Sequence, residues 1–409
     1  MVMNKEILKK YAELVYKIGV NLQKGQGVEI DCSVENAEVA EVFTEVGYKL
    51  GAKLVNIRWN YDKTAYLNYK YAETEALAEV PEWFIKSKEY LMEKGFCRIA
   101  IDSEDPFAFK DIPAEKLGAV SKARSKALKK YSDCIMSNGI RWCVVSVPSK
   151  AWAEKVFPDD AHPEDKLFDE IIKTMRLNCD NPIKNWENHI AEMDKHAKFL
   201  NENAFEYLHY ENSLGTDIYV GLADDHVWLS AQEEAKDGVK FVANIPTEEV
   251  FTCPHKGKIN GKVYSALPLS YNGQIIDKFS LTFKDGKIVD YSAETGYDAL
   301  KSIIETDEGT LSIGEAALIG KNSPIAQSGI LFYNTLFDEN ASCHLAIGKA
   351  YPTTVKNGDK LSEKELLEKG ANDSVEHVDF MIGTPDLKVT GIRKDKSEAV
   401  IFTDGEWAI

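Results

Sequence analysis

Near residue 204 the pattern of the chain changes. Before that point short apolar runs alternate with amphipathic stretches, and after it short runs are joined by dipeptides suited to tight turns. A chain carrying both patterns folds as an α/β part with a mostly parallel sheet, followed by a mainly antiparallel, β-rich α+β part. Its 409 residues also exceed what one ordinary core holds, so two domains are expected, residues 1–203 and residues 204–409.

In the first part Asn4 stands where a helix cap belongs, and Ile7, Leu8, Tyr11, Leu14, Val15 and Ile18 recur at helical spacing over residues 4–19. Strands are expected at 27–32, 52–59, 96–102 and 141–147. Helices are expected at 36–50, 81–94, 113–138, 163–176 and 182–203, three of them stopped by Gly51, Gly95 and Gly139. In the second part Asn260-Gly261, Asn272-Gly273, Asp285-Gly286 and Asp404-Gly405 read as two-residue hairpin turns, whose central residues need positive φ. Helices are expected to interrupt this part at 297–305 and 362–369.

The formal charge of -17 argues against a nucleic-acid or anionic-membrane partner, because phosphate binding is dominated by Lys and Arg. It mildly favours substrates with a positive end. Seven cysteines, odd in number and without a C-x-x-C pair, indicate neither a disulfide framework nor a zinc ribbon. Reduced thiols and a cytoplasmic location are expected, since the amino terminus lacks a signal-peptide core and no run is long enough to span a bilayer. No phosphate-binding Gly-x-x-x-x-Gly-Lys-Ser/Thr loop is present, Ile30 stands where a dinucleotide turn needs its third Gly, and Gly-x-Ser-x-Gly is missing. Nucleotide binding and serine-hydrolase chemistry are thereby disfavoured.

The chemistry concentrates in the second part. In Glu376-His377-Val378-Asp379-Phe380 the alternation is that of a strand, so His377 and Asp379 share a face and lie roughly 6.6 Å apart. That distance suits an imidazole and a carboxylate that share a metal ion or serve two adjacent ones. Further donors sit among apolar or small residues: Glu248 or Glu249, Glu315, and His344. Charge in such settings is costly unless neutralised, and two divalent cations would neutralise it. Each residue alone also has an ordinary reading. A lone buried His is usually a hydrogen-bonded core residue, a single Glu is usually solvated or capped, and His377 with Asp379 fits the solvent face of a strand. A competing set, His189, Glu192 and His196, shares one helix face, but it lacks the H-E-x-x-H spacing and neighbours Glu187, Asp194 and Lys195 mark that face as exposed. The run His162-Pro163-Glu164-Asp165 reads as a helix start.

Four segments in order, 244–252, 314–318, 344–351 and 376–379, resemble the motifs of the thermophilic metalloaminopeptidase family, that of aminopeptidases T and S. The resemblance runs along most of the chain, including residues 14–25 and 215–228. It implies Glu249, Glu315, His344, His377 and Asp379 as metal ligands, Tyr351 as an active-site residue, and a homodimer. The strand period leaves Glu248 and Glu249 equal, and the choice of Glu249 comes from the resemblance. Cys253, followed by His255, stands where the family usually has a small residue, so a soft metal has a possible extra ligand there. The implied cofactors are two divalent ions, with zinc, cobalt and manganese all compatible with mixed oxygen and nitrogen donors. The implied reaction removes the N-terminal amino acid from peptides with a free N-terminus, by a water activated between the two metals. Three carboxylates against two divalent cations leave one positive charge, which a hydroxide would neutralise. Glu315 is the candidate general base, and Tyr351 the candidate donor to the oxyanion. Rival readings are a hydrolase of another amide, a non-catalytic metal-binding scaffold, and a first domain that binds a small molecule.

Overall fold

Gly27–Ser33 is buried along nearly its whole length because it is paired on both sides, parallel to Leu54–Asn60 and parallel to Cys97–Asp102. Trp142–Ser146 extends the sheet beyond Cys97–Asp102, again in parallel. The chain therefore steps outward to Leu54–Asn60, then returns past its starting strand, and the strand order reverses between Gly27–Ser33 and Cys97–Asp102. The computed structural model describes residues 4–103, 105–271 and 274–409. The sheet and its helices follow the parallel α/β pattern expected from the alternation of runs.

Helix Lys5–Leu14 begins where expected, with Asn4 accepting the Glu6 N–H at 3.0 Å, and continues as a π-helical turn over Val15–Gly19. Its buried face meets Ala37–Lys49 through Tyr11 and Phe43, whose rings lie edge to face with centroids 5.7 Å apart. Tyr11 donates to the Ser146 carbonyl at 2.8 Å, which ties this helix to the last strand of the sheet. Two carboxylates sit inside the central strand. Glu29 is paired with Lys88 at 2.9 Å and Asp31 with Arg58 and Arg98 at 2.6 and 2.7 Å, so neither is buried uncompensated.

Three features depart from the expected pattern. The helix expected at 113–138 is two helices, Ala114–Ala127 and Lys129–Met136, because the backbone at Leu128 (φ -98°, ψ 12°) leaves the helical region. Asp62–Tyr71 and Thr74–Ala78 are helical although no residue in either is buried, so they carry no apolar stripe for periodicity to detect. Asn260-Gly261 is not a turn. It lies inside the long strand Pro254–Tyr264, where Gly261 (φ +123°) brings its Cα so close to Asp217 that an added Cβ would lie 2.3 Å from the Asp217 carbonyl oxygen. Asp285-Gly286 and Asp404-Gly405 do form turns with positive φ at both residues, between Gln274–Lys284 and Lys287–Thr295 and between Glu398–Thr403 and Glu406–Trp407. Asn272-Gly273 lies outside the described residues.

Beyond the first sheet the strands are antiparallel. The described residues form a nine-stranded sheet that runs from Leu269–Tyr271 to Glu406–Trp407, and a four-stranded sheet in the order His377–Met381, His344–Gly348, Ile313–Leu318, Val250–Thr252. Tyr297–Ile304 and Glu363–Glu368 are the expected helical interruptions, the latter held by a capping box between Ser362 and Glu365. By contact density the chain divides into two compact units. One comprises residues 1–188 with 232–246, the other residues 189–231 with 247–409. All seven cysteines are free, and no described helix is long and apolar enough to cross a membrane.

Candidate metal centre

The register of the four-stranded sheet decides which side chains meet. Residues directly opposite in an antiparallel pair share a face, and so do residues two apart along a strand. Ala317 opposes His344, and Ala346 opposes Asp379 on one side while Glu315 opposes Ala346 on the other. Gly348 opposes His377. Glu315, His344, His377 and Asp379 therefore project from one face. Phe251 opposes Ala317 on that same face, and stepping back two residues reaches Glu249. Glu248 falls on the opposite side. Its carboxylate lies 3.6 Å from His189 Nε2 and its own N–H donates to Asn340 Oδ1 at 2.8 Å.

The distances match this derivation. His344 Nε2 lies 3.3 Å from Glu315 Oε1, 3.5 Å from Glu249 Oε2 and 3.8 Å from Asp379 Oδ1. His377 Nε2 lies 3.3 Å from Asp379 Oδ1 and 4.0 Å from Glu315 Oε2. The donor atoms fall into two groups of three, Glu249 with Glu315 and His344, and Glu315 with His377 and Asp379, each spanning no more than 4.8 Å. Glu315 belongs to both and offers one oxygen to each. Tyr351 stands beside them, its ring 4.9 Å from that of His377 and 6.3 Å from that of Phe251.

Three observations bear on whether a metal fits. Both imidazoles direct Nδ1 at a backbone carbonyl, His344 at Glu339 (2.8 Å) and His377 at Lys349 (2.7 Å). A neutral ring that donates through Nδ1 keeps a lone pair on Nε2, and both Nε2 atoms face the carboxylates. Asp379 Oδ1 is buried and receives no hydrogen bond. The donors are otherwise acceptors crowded together, which is unfavourable without a positive charge among them. The protonation energetics reflect the crowding. Burial and then the neighbouring Glu315 push the Glu249 carboxyl up to about 8. Burial opposes charge on His344 and His377, yet the carboxylates outweigh it and push them up to about 9 and about 10. Burial likewise works against Asp379, but His377 and His344 hold its carboxyl below the usual range. Protons held this tightly occupy positions that a cation takes when it binds. The residues fit a metal centre.

The sequence reading missed Glu339. Its carboxyl is buried, and burial followed by the charges of Asp379, Glu249 and Glu315 holds it well above the usual carboxylate range. It sits in a 3-10 turn, Glu339–Ala341, where strand alternation carries no signal, though its spacing of five residues from His344 was visible. Cys253 is a core residue. It packs with Ala223, Ala350, Val355 and Ala371, and burial pushes its thiol up to about 12; it belongs to neither group of donors. The helical set does not converge either. His189 Nε2 is 2.9 Å from the Thr247 carbonyl oxygen, and His196 stacks on Trp407 at 4.1 Å.

A model of the thermophilic metalloprotease (M29) family matches residues 4–407. Aminopeptidase 2 of Geobacillus stearothermophilus is 43% identical over 403 residues, covering 98% of this chain and 97% of that protein. Aminopeptidase AmpS of Bacillus subtilis is 44% identical over 403 residues, 98% of each chain. The solved structure of wild-type AmpT from Thermus thermophilus superposes with a TM-score of 0.93 at 32% identity, covering 99% of this chain and 100% of that one. With a family model spanning nearly every residue and relatives alike along their full length, the chain belongs to the M29 family of thermophilic metalloproteases, and is a hydrolase of the metalloaminopeptidase kind.

Proposed function

We propose that this enzyme removes the N-terminal amino acid from peptides with a free N-terminus, using two divalent cations held by Glu249, Glu315, His344, His377 and Asp379. The observation that carries the reading is the sharing of Glu315 between two groups of three donors, the pattern expected when one carboxylate bridges two ions. Zinc, cobalt and manganese all suit the oxygen and nitrogen donors. Bound cations supply Lewis acidity, which lowers the pKa of water and polarises the scissile carbonyl. The chain's own groups do the rest. Glu315 is the candidate base: where one of its oxygens is left free of the cations, it would take a proton from the attacking water and pass it to the departing amine as the C–N bond breaks. Tyr351 donates its O–H to the oxygen that gains charge, from a position beside His377. Glu339 stands close enough to Asp379, Glu249 and Glu315 to raise their repulsion, which suits a further ligand or a proton store.

In this reading residues 204–409 carry the chemistry and residues 1–203 form a separate α/β domain. A homodimer, a cytoplasmic location and the absence of nucleic-acid partners complete the proposal, the last in keeping with the charge of -17. Size-exclusion chromatography with light scattering tests the dimer. The activity is tested with an aminoacyl anilide and its N-acetylated counterpart. Cleavage of the free amine alone is expected, and equal cleavage of both would instead indicate a general amide hydrolase.

A further inference from the structure

Beside the candidate centre lies a cavity of about 270 Å³. His377, Asp379 and Glu339 line it, whereas Glu249, Glu315 and His344 do not, so it opens from one half of the donor cluster. Its apolar wall comprises Leu269, Tyr271, Tyr333 and Met381. Met381 projects from the same face of its strand as His377 and Asp379, which places an apolar side chain next in line after the two donors. The volume falls below that of pockets enclosing a drug-sized ligand, and suits a single amino-acid side chain.

Tyr333 is the unusual member of this wall. Its backbone is left-handed, at φ +55°, a region that bulky residues seldom adopt. The chain on both sides of it folds around one carboxylate, since Asp338 accepts the Phe332 N–H at 2.7 Å and the Asn334 N–H at 3.0 Å. Phe332 is further anchored in the core, its ring stacked on that of Phe337 with centroids 4.8 Å apart. Asn334 caps Thr335–Asp338 by accepting the Leu336 N–H at 3.1 Å. Tyr333 is therefore fixed between two tethered neighbours. Glycine would take this backbone at no steric cost, so a tyrosine kept there beside a donor cluster points to a use for its ring. The same segment continues into Glu339–Ala341, and the Glu339 carbonyl lies 2.8 Å from His344 Nδ1. One short stretch thus sets both the cavity wall and the orientation of a donor imidazole.

We propose that this cavity receives the side chain of the substrate's first residue, that an apolar side chain of leucine's size fills it, and that the Tyr333 ring limits its depth. Asp338 is a positioning residue, acting on the substrate only through the Tyr333 backbone. The inference rests on the aminopeptidase reading, because that reaction is what brings a first residue to the centre.

The test uses the metal-loaded enzyme in two ways. Alanyl, leucyl and tryptophyl anilides are compared as substrates, and free L-alanine, L-leucine and L-tryptophan, which are not turned over, are compared as ligands by isothermal titration. Wild type is expected to favour leucine over each of the others by at least about tenfold in kcat/KM and in Kd. Tyr333→Gly suits the left-handed backbone and should keep the bound metal, read by atomic emission. It should raise the tryptophan-to-leucine ratio by at least about tenfold in both measurements. Asp338→Asn removes one of the two accepting oxygens and should blunt the preference for leucine over alanine, the loss falling on KM more than on kcat. Should Asp338→Asn fail to fold, Tyr333→Gly carries the test. Wild-type ratios in metal-loaded Tyr333→Gly, or a wild type indifferent to leucine against alanine, would overturn this inference and leave the aminopeptidase reading standing. Undiminished discrimination in Asp338→Asn would strike Asp338 from it. Failure of wild type to cleave any of the three anilides would overturn the aminopeptidase reading, and this inference with it.

Discussion

His344 Nε2 and Glu315 Oε1 lie 3.3 Å apart across neighbouring strands, the imidazole 1% and the carboxylate 5% exposed. Neither belongs in such a place without a compensating partner, and Glu315, which also stands with His377 and Asp379, joins the two groups of donors into one cluster. Removing the shared carboxylate should therefore disturb both halves at once. Glu315→Gln is expected to lower kcat by about 10²–10⁴-fold. It should also reduce the bound metal below the wild-type amount, measured by atomic emission on dialysed protein. Full metal content with full activity would remove Glu315 from the mechanism.

Chelation should destabilise the fold as well as abolish activity, because a ligand that binds only the native state adds about 2.7 kcal/mol at a hundredfold excess over Kd. Differential scanning calorimetry is expected to show a lower Tm after chelation, restored by zinc, cobalt or manganese. In the chelated protein at neutral pH Glu249→Gln should melt no lower than wild type, since a carboxyl pushed up to about 8 is already largely uncharged there and the amide replaces it at nearly the same size. With metal added, the same variant should gain less than wild type does.

Tyr351→Phe deletes one hydroxyl and keeps the ring contacts with Phe251 and His377. The expected outcome is a fall in kcat of about 10²-fold with little change in KM, the signature of an interaction made in the transition state. An unaltered kcat would return Tyr351 to a packing role.

The Asp31 cluster predicts an acid limb. Burial alone would raise this carboxyl, but Arg98, Lys88 and Arg58 outweigh it and hold it below the usual value. A group depressed on folding stabilises the protein above its unfolded pKa of about 3.9 and loses that contribution as pH falls through the folded value. Urea titrations from pH 6 down to pH 2 should thus show stability falling below about pH 4. Arg98→Met should lower stability at pH 6 by about 3 kcal/mol and flatten this limb.

At Gly286 (φ +83°) an added Cβ would lie 1.7 Å from the Lys256 carbonyl oxygen, whereas at Gly95 (φ +68°) nothing lies within 4 Å. Gly286→Ala is expected to destabilise by more than about 3 kcal/mol, and Gly95→Ala by about 1 kcal/mol from the left-handed backbone alone. Equal melting of the two variants would show that strand Pro254–Tyr264 yields more easily than its pairing implies.

Legibility followed physical signal. The alternation around His377 and Asp379 was readable because a half-buried strand writes its face at period two, and Asp285-Gly286 was readable because the turn needs positive φ twice. Asn260-Gly261 misled because the same dipeptide also serves a close backbone approach inside a strand. Periodicity could not separate Glu249 from Glu248, since it says that the two differ but not which one faces inward; the resemblance made the choice, and the strand register puts Glu249 on the face of the other donors. Glu339 left no periodic signal, as turns have no period, and only its spacing of five residues from His344 was there to be seen. Helices without a buried face, such as Asp62–Tyr71, lay below what apolar spacing can report.

The order His377–Met381, His344–Gly348, Ile313–Leu318, Val250–Thr252 has a consequence for how the protein reaches its working state. Each strand or its flank contributes at least one donor, and a slip of a single residue in any pairing would swing that donor through the sheet to the wrong side. Under the proposed assignment, the two cations that these five side chains would hold would proofread the hydrogen-bond alignment of strands drawn from distant parts of the chain, and misaligned molecules would be told apart by their failure to hold both.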